Sequence, residues 1–398
     1  MDFAATEKVK TLRRRLTDFM ERFVYPNERT FYEEIESSGD KHHRPKILDE
    51  LKAKAREAGL WNLFLNDGKY GPGLTNLEYA PLAEVMGRVL WASEVFNCSA
   101  PDTGNMESLA QYGTSAQKKQ WLEPLLEGKI RSGFSMTEPM TAGSDPTQLQ
   151  ATAVRAGGFY AITGRKWFTT GAMHARVLIV AAVTNPNAPR HRRVSLFLVP
   201  VDVPGVTIVR SVPVYGYVSG PGECEVVFEE ARVPTSNLLG EEGDGFAVAQ
   251  ARLGSGRIHH CMRAVGMAER GVEMMCRRVK TRMVIGGLLS EKQMVQDFIA
   301  KSRIEVEAAR LMVLHAAWKM DTGGKKEAWP EISMSKVLCA QMACEVVDRA
   351  IQIHGALGVT DDLPLAAMWR YARILRLGDG ADEVHKVKIA EHELRRWT

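Results

Sequence analysis

A β-rich stretch over residues 151–240 lies between two helical parts, and this order constrains the fold more than any other feature of the sequence. Within the stretch, runs of β-branched and aromatic residues are separated by Gly and Pro, as in Val203-Pro204-Gly205. Such spacing is typical of strands joined by tight turns. Because no helical pattern separates the runs, we expect an antiparallel sheet or a small barrel rather than alternating strands and helices.

Apolar residues on either side of this stretch recur at helical spacing, which predicts amphipathic helices. The expected fold class is α+β and mostly α: an N-terminal helical domain over 1–128, a middle antiparallel β domain over 129–241 and a C-terminal helical bundle over 242–398. Long helical segments are predicted near 245–282, 291–321, 331–355 and 365–377. Helices that each bury one apolar stripe favour a four-helix bundle in the last part.

Composition argues against several classes of protein. Lys+Arg number 52 against 48 Asp+Glu, and the formal net charge of +4 is too small to indicate a nucleic-acid partner. No apolar run approaches the roughly 20 residues of a membrane span, so stable membrane insertion is not expected. The 6 cysteines are widely spaced, which predicts reduced thiols and no zinc site. The adjacent His259 and His260 diverge by about 100° on a helix, so they are not expected to share a metal.

The compartment is an expectation from the first residues of the chain. They lead directly into a helical pattern and lack the hydrophobic segment of a secretory leader. We therefore expect a cytoplasmic protein if the source is bacterial. For a eukaryotic source the expectation is the mitochondrial matrix or the peroxisome.

Short strings of residues are more specific than these patterns. They stand at 134–139, 143–145, 164–171, 352–358 and 379–381, and they read FSMTEP, GSD, GRKWFTTG, QIHGALG and DGA. In this order they resemble the strings of FAD-dependent acyl-CoA dehydrogenases, and the resemblance covers essentially the whole chain. It implies an oxidoreductase that converts an acyl-CoA thioester to its 2-enoyl-CoA.

The resemblance also implies how FAD is held, with its flavin ring between the β domain and the C-terminal bundle. The residues that it assigns to the cofactor are Phe134, Met136, Thr137, Ser144, Trp167, Thr169, Arg282, Gln352, Ala381 and Glu383. The backbone of Met136 and the hydroxyl of Thr137 would bond the pyrimidine edge of the ring. Trp167 would pack against the ring, and Thr169 would bond near its N5 side.

Two of these assignments, Arg282 and Gln352, match family residues that lie near the pyrophosphate of a neighbouring subunit's FAD. They imply a homodimer or a homotetramer. The family further implies an electron-transfer flavoprotein as the partner that takes up the electrons.

The resemblance assigns proton abstraction to Asp379, which stands where the family commonly has the glutamate of a Glu-Gly-Thr loop. The family's second base position is occupied here by Gly256, which has no side chain to act as a base. The residues assigned to the substrate are Ser144, Gly254, Arg257 and Gly380. From the residues alone, Asp379 followed by Asp382 and Glu383 also reads as a helix N-cap with an acidic first turn, and both interpretations stay open.

Departures from the common family pattern point to a subgroup. Asp379 is one methylene shorter than glutamate, Gly378 replaces an aromatic residue, and the loop at 138–144 is one residue longer. These features resemble members that are fused in some cases to a phosphotransferase-like kinase domain and are associated with 4-hydroxyacyl-CoA breakdown. No kinase domain is present in this sequence, so a separate partner is expected to supply that step.

Two alternatives remain at this point. One is a flavin oxidase of the same superfamily that uses an aspartate base on a substrate without CoA, such as a nitroalkane. The other is a non-catalytic assembly factor that retained the fold. Loss of the base or of the flavin threonine would favour the second alternative, and the sequence retains both residues.

Overall fold

Helices, one large sheet and one two-stranded sheet make up the protein, as seen in a computed structural model that describes residues 2–218 and 220–397. The α-helices in this part of the chain are α1 Glu7–Phe19, α2 Glu28–Ser38, α3 Lys46–Glu57, α4 Asn76–Gly87, α5 Ala92–Val95, α6 Asp102–Tyr112, α7 Ser115–Gln117, α8 Glu123–Leu126, α9 Gly245–Thr281, α10 Gln293–His354, α11 Leu365–Leu375 and α12 Asp382–Leu394. The strands are β1 Arg131–Ser135, β2 Thr152–Ala156, β3 Phe159–Thr170, β4 Ala175–Val183, β5 Val194–Pro200, β6 Val206–Ser211, β7 Glu223–Pro234, β8 Leu238–Leu239, β9 Met283–Val284 and β10 Gly287–Leu288. The predicted class, mostly helical with a sheet in the middle of the chain, is confirmed.

The chain divides into two compact units. Unit 1 comprises Met1–Tyr25, Leu74–Ser93 and Gly254–Thr398, and unit 2 comprises Pro26–Gly73 and Glu94–Leu253. The domain boundaries expected from the sequence, at 128 and 241, stay predictions.

The sheet of unit 2 has the strand order β6-β7-β3-β2-β4-β5-β8, with β1 beside β4. Most neighbours are antiparallel, as expected, but β1 and β2 each pair with β4 in parallel. Parallel pairing requires a longer connection than a hairpin, and the β2–β3 hairpin lies on the connection from β1 to β4. Inward residues such as Tyr160 and Phe197, whose rings are 4.8 Å apart, fill the core of this unit.

Long helices form unit 1, and α10 is divided where the sequence predicts two segments. Gly324 interrupts the helix with φ 72° and ψ 178°, a conformation that no helix contains. The break separates the predicted segments 291–321 and 331–355. Within the described residues, every helix is too short or too polar to cross a membrane.

Close contact between α4 and α9 fixes the position of α9. A Cβ on Gly266 would lie 1.9 Å from the carbonyl oxygen of Glu84, and one on Gly87 would lie 2.3 Å from that of Arg263. Only glycine permits such an approach of two helix backbones. Arg310 of α10 donates two hydrogen bonds to the Glu84 carboxylate, at 3.0 and 3.1 Å, and so joins a third helix to the crossing.

Candidate active site

The loop between α11 and α12 carries Asp379 in an unusual backbone conformation. Its φ is 55°, and Gly380 follows with φ 99°. Positive φ is uncommon for a residue with a side chain, so the surrounding contacts have to hold this turn. A Cβ on Gly380 would lie 2.8 Å from Nε2 of His385, which leaves room only for glycine there.

Three buried side chains hold the backbone of this loop. Arg257 of α9 donates from Nε to the carbonyl oxygen of Asp379 at 2.9 Å. Lys336 of α10 donates to the carbonyl oxygen of Leu375 and lies 3.4 Å from that of Gly380. His385 of α12 places Nε2 3.3 Å from the Asp379 oxygen. Helices α9, α10 and α12 thus converge on one turn.

The charges around this turn are shaped by burial. Burial lowers the pKa of the Lys336 ammonium and that of the Arg257 guanidinium. Burial, together with the positive charges of Arg257 and Lys336, lowers the pKa of His385 to about 4. His385 is therefore neutral at pH 7, and its Nδ1 lies 3.2 Å from the Ser333 hydroxyl.

The Asp379 carboxylate lies against His260, with 3.3 Å between Oδ2 and Nε2. The two other acidic residues near the turn, Asp382 and Glu383, are placed differently. Asp382 is 1% exposed and its Oδ2 pairs with Nε of Arg376 at 2.8 Å, whereas Glu383 is exposed. The N-cap of α12 is Ala381, so the interpretation of Asp379 as that cap is wrong. Of the three acidic residues, Asp379 alone combines partial exposure with a held backbone.

Open space lies beside two glycines of this site. A Cβ on Gly256 would meet no atom within 4 Å, and one on Gly378 would meet only the carbonyl oxygen of Ile374, at 3.7 Å. Gly254 differs, because a Cβ there would lie 3.3 Å from Cδ of Lys325. The lysine stem therefore packs beside the position where the family frequently has an acidic residue.

A basic groove lies on α10, just after the break at Gly324. It has a volume of about 440 Å³ and is lined by Lys325, Lys326 and Trp329. The Arg257 guanidinium lies 5.2 Å from the centre of the Trp329 ring. Burial, with a smaller contribution from Arg257, lowers the pKa of Lys325 to about 8. Ammonium groups beside an aromatic face suit an anionic ligand that carries a planar ring.

In unit 2 the two strings assigned to the flavin are hydrogen-bonded to each other. The backbone N–H of Trp167 donates to the carbonyl oxygen of Thr137 at 3.0 Å. The β3–β7 register shifts between Lys166 and Thr169, and Phe168 takes φ 49°. This bulge re-aims the side chains of β3 where the strand passes Thr137.

A buried ion pair between Lys166 and Glu138 joins the same two strings. Lys166 is inaccessible to solvent, and its Nζ donates to the carbonyl oxygen of Met136 at 2.9 Å and to the Glu138 carboxylate at 2.7 Å. Glu138 also accepts the backbone N–H groups of Gln150 and Ala151. Burial lowers the pKa of Lys166 to about 8 although Glu138 opposes the shift.

The remaining cofactor candidates of unit 2 differ in exposure. Trp167 and Thr137 are half-buried and Ser144 is exposed. Phe134 is half-buried beneath the Arg252 guanidinium, at 4.2 Å. Thr169 is fully buried and shares a hydrogen bond of 3.0 Å with Ser135. Its bond to a flavin stays a prediction.

A flavin requires an apolar surface for its ring and polar groups for its edge. Partly accessible Trp167 offers such a surface, and the hydroxyls of Thr137 and Ser144 offer the polar groups. The side chains and backbone of this region therefore fit a flavin.

The last four cofactor candidates lie in unit 1. Arg282 is exposed immediately after α9, and Gln352 is exposed near the end of α10. Ala381 is half-buried and Glu383 is exposed at the start of α12. Their roles toward FAD, including that of a neighbouring subunit, stay predictions.

The sequence left several residues of the site unassigned. His260, Lys336 and His385 contact the turn at Asp379, and Lys166 with Glu138 supports the flavin strings. Among the residues around Asp379, only His260 had a signal in the sequence, since it follows Arg257 by three residues and such residues share a helix face. Glu138 and Lys166 stand within the strings 134–139 and 164–171. The described residues contain no group of three or more His, Cys, Asp or Glu arranged to hold a metal.

Known families match the chain along nearly its whole length. The models for the acyl-CoA dehydrogenase N-terminal, middle and C-terminal domains match residues 6–129, 133–231 and 243–394. The curated protein "Probable acyl-CoA dehydrogenase FadE2" of Mycobacterium tuberculosis is 52% identical, over 100% of this chain and 98% of that protein. Mouse acyl-CoA dehydrogenase family member 10 is 48% identical over 97% of this chain, which spans only 37% of that longer protein. The chain spans 51% of human family member 11, at 44% identity.

Solved structures share the fold. A Mycobacterium abscessus structure assigned to the acyl-CoA dehydrogenases superposes with a TM-score of 0.96 at 46% identity, over 99% of this chain and 100% of that one. Butyryl-CoA dehydrogenase from Megasphaera elsdenii gives 0.84 at 28% identity, over 99% and 100% of the two chains. An FAD complex of PigA gives 0.86 at 26% identity, over 100% of both chains.

Proposed function

Because the chain belongs to the acyl-CoA dehydrogenase family, we propose that it is an FAD-dependent oxidoreductase that converts an acyl-CoA thioester to its trans-2-enoyl-CoA. The observation that carries this proposal is the setting of Asp379. Its carboxylate is partly exposed, its backbone is held by Arg257, and its nearest acidic rival, Asp382, is buried and paired. A carboxylate so held is suited to remove a proton from carbon.

In this mechanism Asp379 takes the proton from the α-carbon of the thioester. The electron pair of that C–H bond forms the double bond as the β-carbon gives up a hydride. By resemblance to the family, the backbone N–H of Asp379 donates to the thioester oxygen. Arg257, which is buried at the same turn, adds positive charge near the developing enolate.

Bound FAD would accept the hydride. This chain's part in that step would be to hold the ring. By resemblance to the family, Trp167 would support its face, and Thr137 and the backbone of Met136 would bond its edge. Lys166 keeps the Met136 carbonyl in place. An electron-transfer flavoprotein would then receive the electrons from the reduced cofactor.

We propose that the CoA moiety binds in the groove lined by Lys325, Lys326 and Trp329. Its ammonium groups and aromatic face suit phosphates and an adenine ring. For the acyl part we propose a short or medium chain substituted at C4. The support is the space beside Gly378, together with the resemblance to the kinase-fused subgroup.

The proposed assembly is a homodimer or a homotetramer. Arg282 is exposed at the end of α9, and Gln352 is exposed near the end of α10. Both are therefore accessible to a neighbouring subunit's FAD. Arg282→Ala is expected to weaken FAD retention, and a monomeric wild type with full FAD content would contradict this assembly.

Anaerobic bleaching of the flavin tests the proposed function. The purified protein is expected to be yellow, with about one FAD per chain, and to bleach with acyl-CoAs. A panel of straight-chain and 4-hydroxyacyl-CoAs identifies the preferred substrate. Faster bleaching by the unsubstituted thioesters would contradict the C4 proposal. A colourless protein that does not take up FAD would overturn the function itself.

The electron acceptor separates the dehydrogenase from the oxidase alternative. A dehydrogenase re-oxidises with an electron-transfer flavoprotein, whereas an oxidase forms hydrogen peroxide with dioxygen. Bleaching by a nitroalkane with peroxide release would favour the oxidase.

A further inference from the structure

One face of α9 contacts both the backbone and the carboxylate of Asp379. Arg257 and His260 are three residues apart, and such residues are neighbours on a helix. Arg257 Nε donates to the Asp379 carbonyl oxygen at 2.9 Å, and His260 Nε2 lies 3.3 Å from its Oδ2. The two contacts together restrict how the aspartate can be placed.

The adjacent residue, His259, is an example of a histidine on α9 that is packed in the core. His259 is 1% exposed and lies edge-on to the Tyr79 ring, at 4.7 Å between centroids. Burial holds the pKa of His259 well below its usual value. The side chains of His260 and Asp379, by contrast, keep 16% and 28% of their exposure. Their pairing is thus not a contact of the packed core.

The open side of α9 lies on the same helix face. Gly256 precedes His260 by four residues, so the two positions are neighbours along the face. A Cβ on Gly256 would meet no atom within 4 Å. His260 therefore meets the Asp379 carboxylate on the side of the helix where space is left for a ligand.

We propose that His260 is a positioning residue for Asp379. It donates from Nε2 to Oδ2 and so fixes the rotation of the carboxylate, which leaves Oδ1 to take the α-proton. This inference rests on the proposed function, since it requires Asp379 to be the base. An aspartate arm is about 1.5 Å shorter than that of glutamate, and a misplacement of about 1 Å can cost roughly 10²-fold in rate.

The contact requires a donor at Nε2 and no positive charge. A neutral imidazole protonated at Nε2 supplies that donor, and it still donates after Asp379 has become a neutral acid. Other charged or titratable groups close to the turn are Arg257 from α9, Lys336 from α10, Arg376 after α11, and Asp382 and His385 from α12. Because the contact needs only an uncharged donor, a side chain that donates from a similar distance and does not titrate is expected to preserve the role of His260.

Two substitutions separate the donor from the bulk of the side chain. His260→Leu removes the donor, and His260→Gln keeps an amide N–H donor at similar reach. His392→Leu, at an exposed position of α12, is the matched control. Rapid anaerobic mixing with acyl-CoA yields the limiting rate of flavin reduction and the substrate concentration at half-saturation. FAD content is measured on the same samples.

The expected result is a fall in the limiting rate of about 10–100-fold for His260→Leu, with FAD content and half-saturation near the wild-type values. His260→Gln and His392→Leu stay close to wild type. A structural role would instead lower FAD content or stability in both His260 variants.

A second substrate isolates the proton-transfer step. A thioester with sulfur in place of the β-carbon can lose its α-proton but has no β-hydride to transfer. Its deprotonation, read as the absorption of the bound enolate, is expected to be weaker in His260→Leu and retained in His260→Gln.

The outcomes distinguish this inference from the function on which it rests. Wild-type behaviour of His260→Leu with both substrates, or equal impairment of the Gln and Leu variants, overturns the inference while an active wild type upholds the proposed function. If the wild-type holoprotein is bleached by no acyl-CoA, both are overturned.

Discussion

Nε of Arg257 donates to the carbonyl oxygen of Asp379 at 2.9 Å, across 122 positions of the sequence. The hydrogen bond joins α9 to the turn before α12. It fixes the backbone of Asp379 while leaving its carboxylate partly exposed, at 28%. A base needs both properties, because a mobile carboxylate loses orientation and a fully buried one cannot reach the substrate.

Asp379→Asn preserves the shape of the side chain and removes its basicity. We expect a fall of about 10²–10⁴-fold in the rate of flavin reduction, with FAD content and acyl-CoA binding retained. Asp379→Glu restores a carboxylate and is expected to keep measurable activity. Rapid-mixing reduction kinetics test these rates, and Glu383→Gln, which removes the exposed rival carboxylate, is measured in the same way. If Glu383→Gln is slow and Asp379→Asn is not, the base is Glu383.

Gly256→Glu is expected to restore part of the activity that Asp379→Ala removes. The position is open, since a Cβ there meets no atom within 4 Å, and it is the family's second base position. Replacing glycine inside a helix also favours the helix by up to about 1 kcal/mol. The double variant should reduce its flavin at least about tenfold faster than Asp379→Ala alone. The control is Gly256→Gln in the Asp379→Ala background, and equal rates in the two double variants would contradict the prediction.

Lys325 and Lys326 are expected to bind the phosphates of CoA. Lys325→Met with Lys326→Met should raise KM for acyl-CoA about tenfold and leave KM for the corresponding acyl-pantetheine, which lacks phosphate, unchanged. The pKa of Lys325 is lowered to about 8, so its charge is present below that pH and lost above it. KM for acyl-CoA should therefore rise above pH 8 in the wild type.

Lys325→Arg is the control for this pH dependence, because arginine stays charged. Its KM for acyl-CoA is expected to stay level where that of the wild type rises. An equal rise in KM for acyl-CoA and acyl-pantetheine would place the phosphates elsewhere.

His385 is expected to make the folded protein sensitive to acid. Its pKa falls from 6.5 to about 4 on folding, so the unfolded chain binds a proton more readily between these values. The free energy of unfolding then declines as pH falls from 6.5 to about 4, by at most about 3 kcal/mol. His385→Gln removes the titration. Denaturant unfolding at pH 7 and pH 4.5 should show a smaller loss in the variant, and an equal loss would refute this role.

Lys166→Met is expected to destabilise unit 2 by about 3–5 kcal/mol, because it leaves the Glu138 carboxylate buried without its cation. It should also weaken FAD retention, since Lys166 holds the Met136 carbonyl. Thermal unfolding and FAD release measure the two effects. Adding Glu138→Gln removes the unpaired charge and should recover part of the stability; no recovery would argue against the ion pair as the cause.

The local sequence pattern was sufficient to predict much of the secondary structure of this molecule. The helical, β and helical order follows from hydrophobic periodicity, a property of neighbouring residues, and the division of α10 near Gly324 follows from a gap in that periodicity. The parallel pairing of β1 with β4 did not follow, because strand direction depends on the path of the intervening chain.

The sequence by itself determined the family, through short strings such as 134–139 and 164–171, and it singled out Asp379 by its place in one of them. Only the tertiary structure decided what surrounds that aspartate. Arg257 and His260 of α9 and Lys336 of α10 reach its turn from helices that are distant in sequence, and His385 reaches it from α12, which follows the turn directly. Their meeting depends on how the helices pack, as where the backbone of Gly266 lies against Glu84. Residue spacing along one helix specifies a face, but close packing between helices specifies what that face touches.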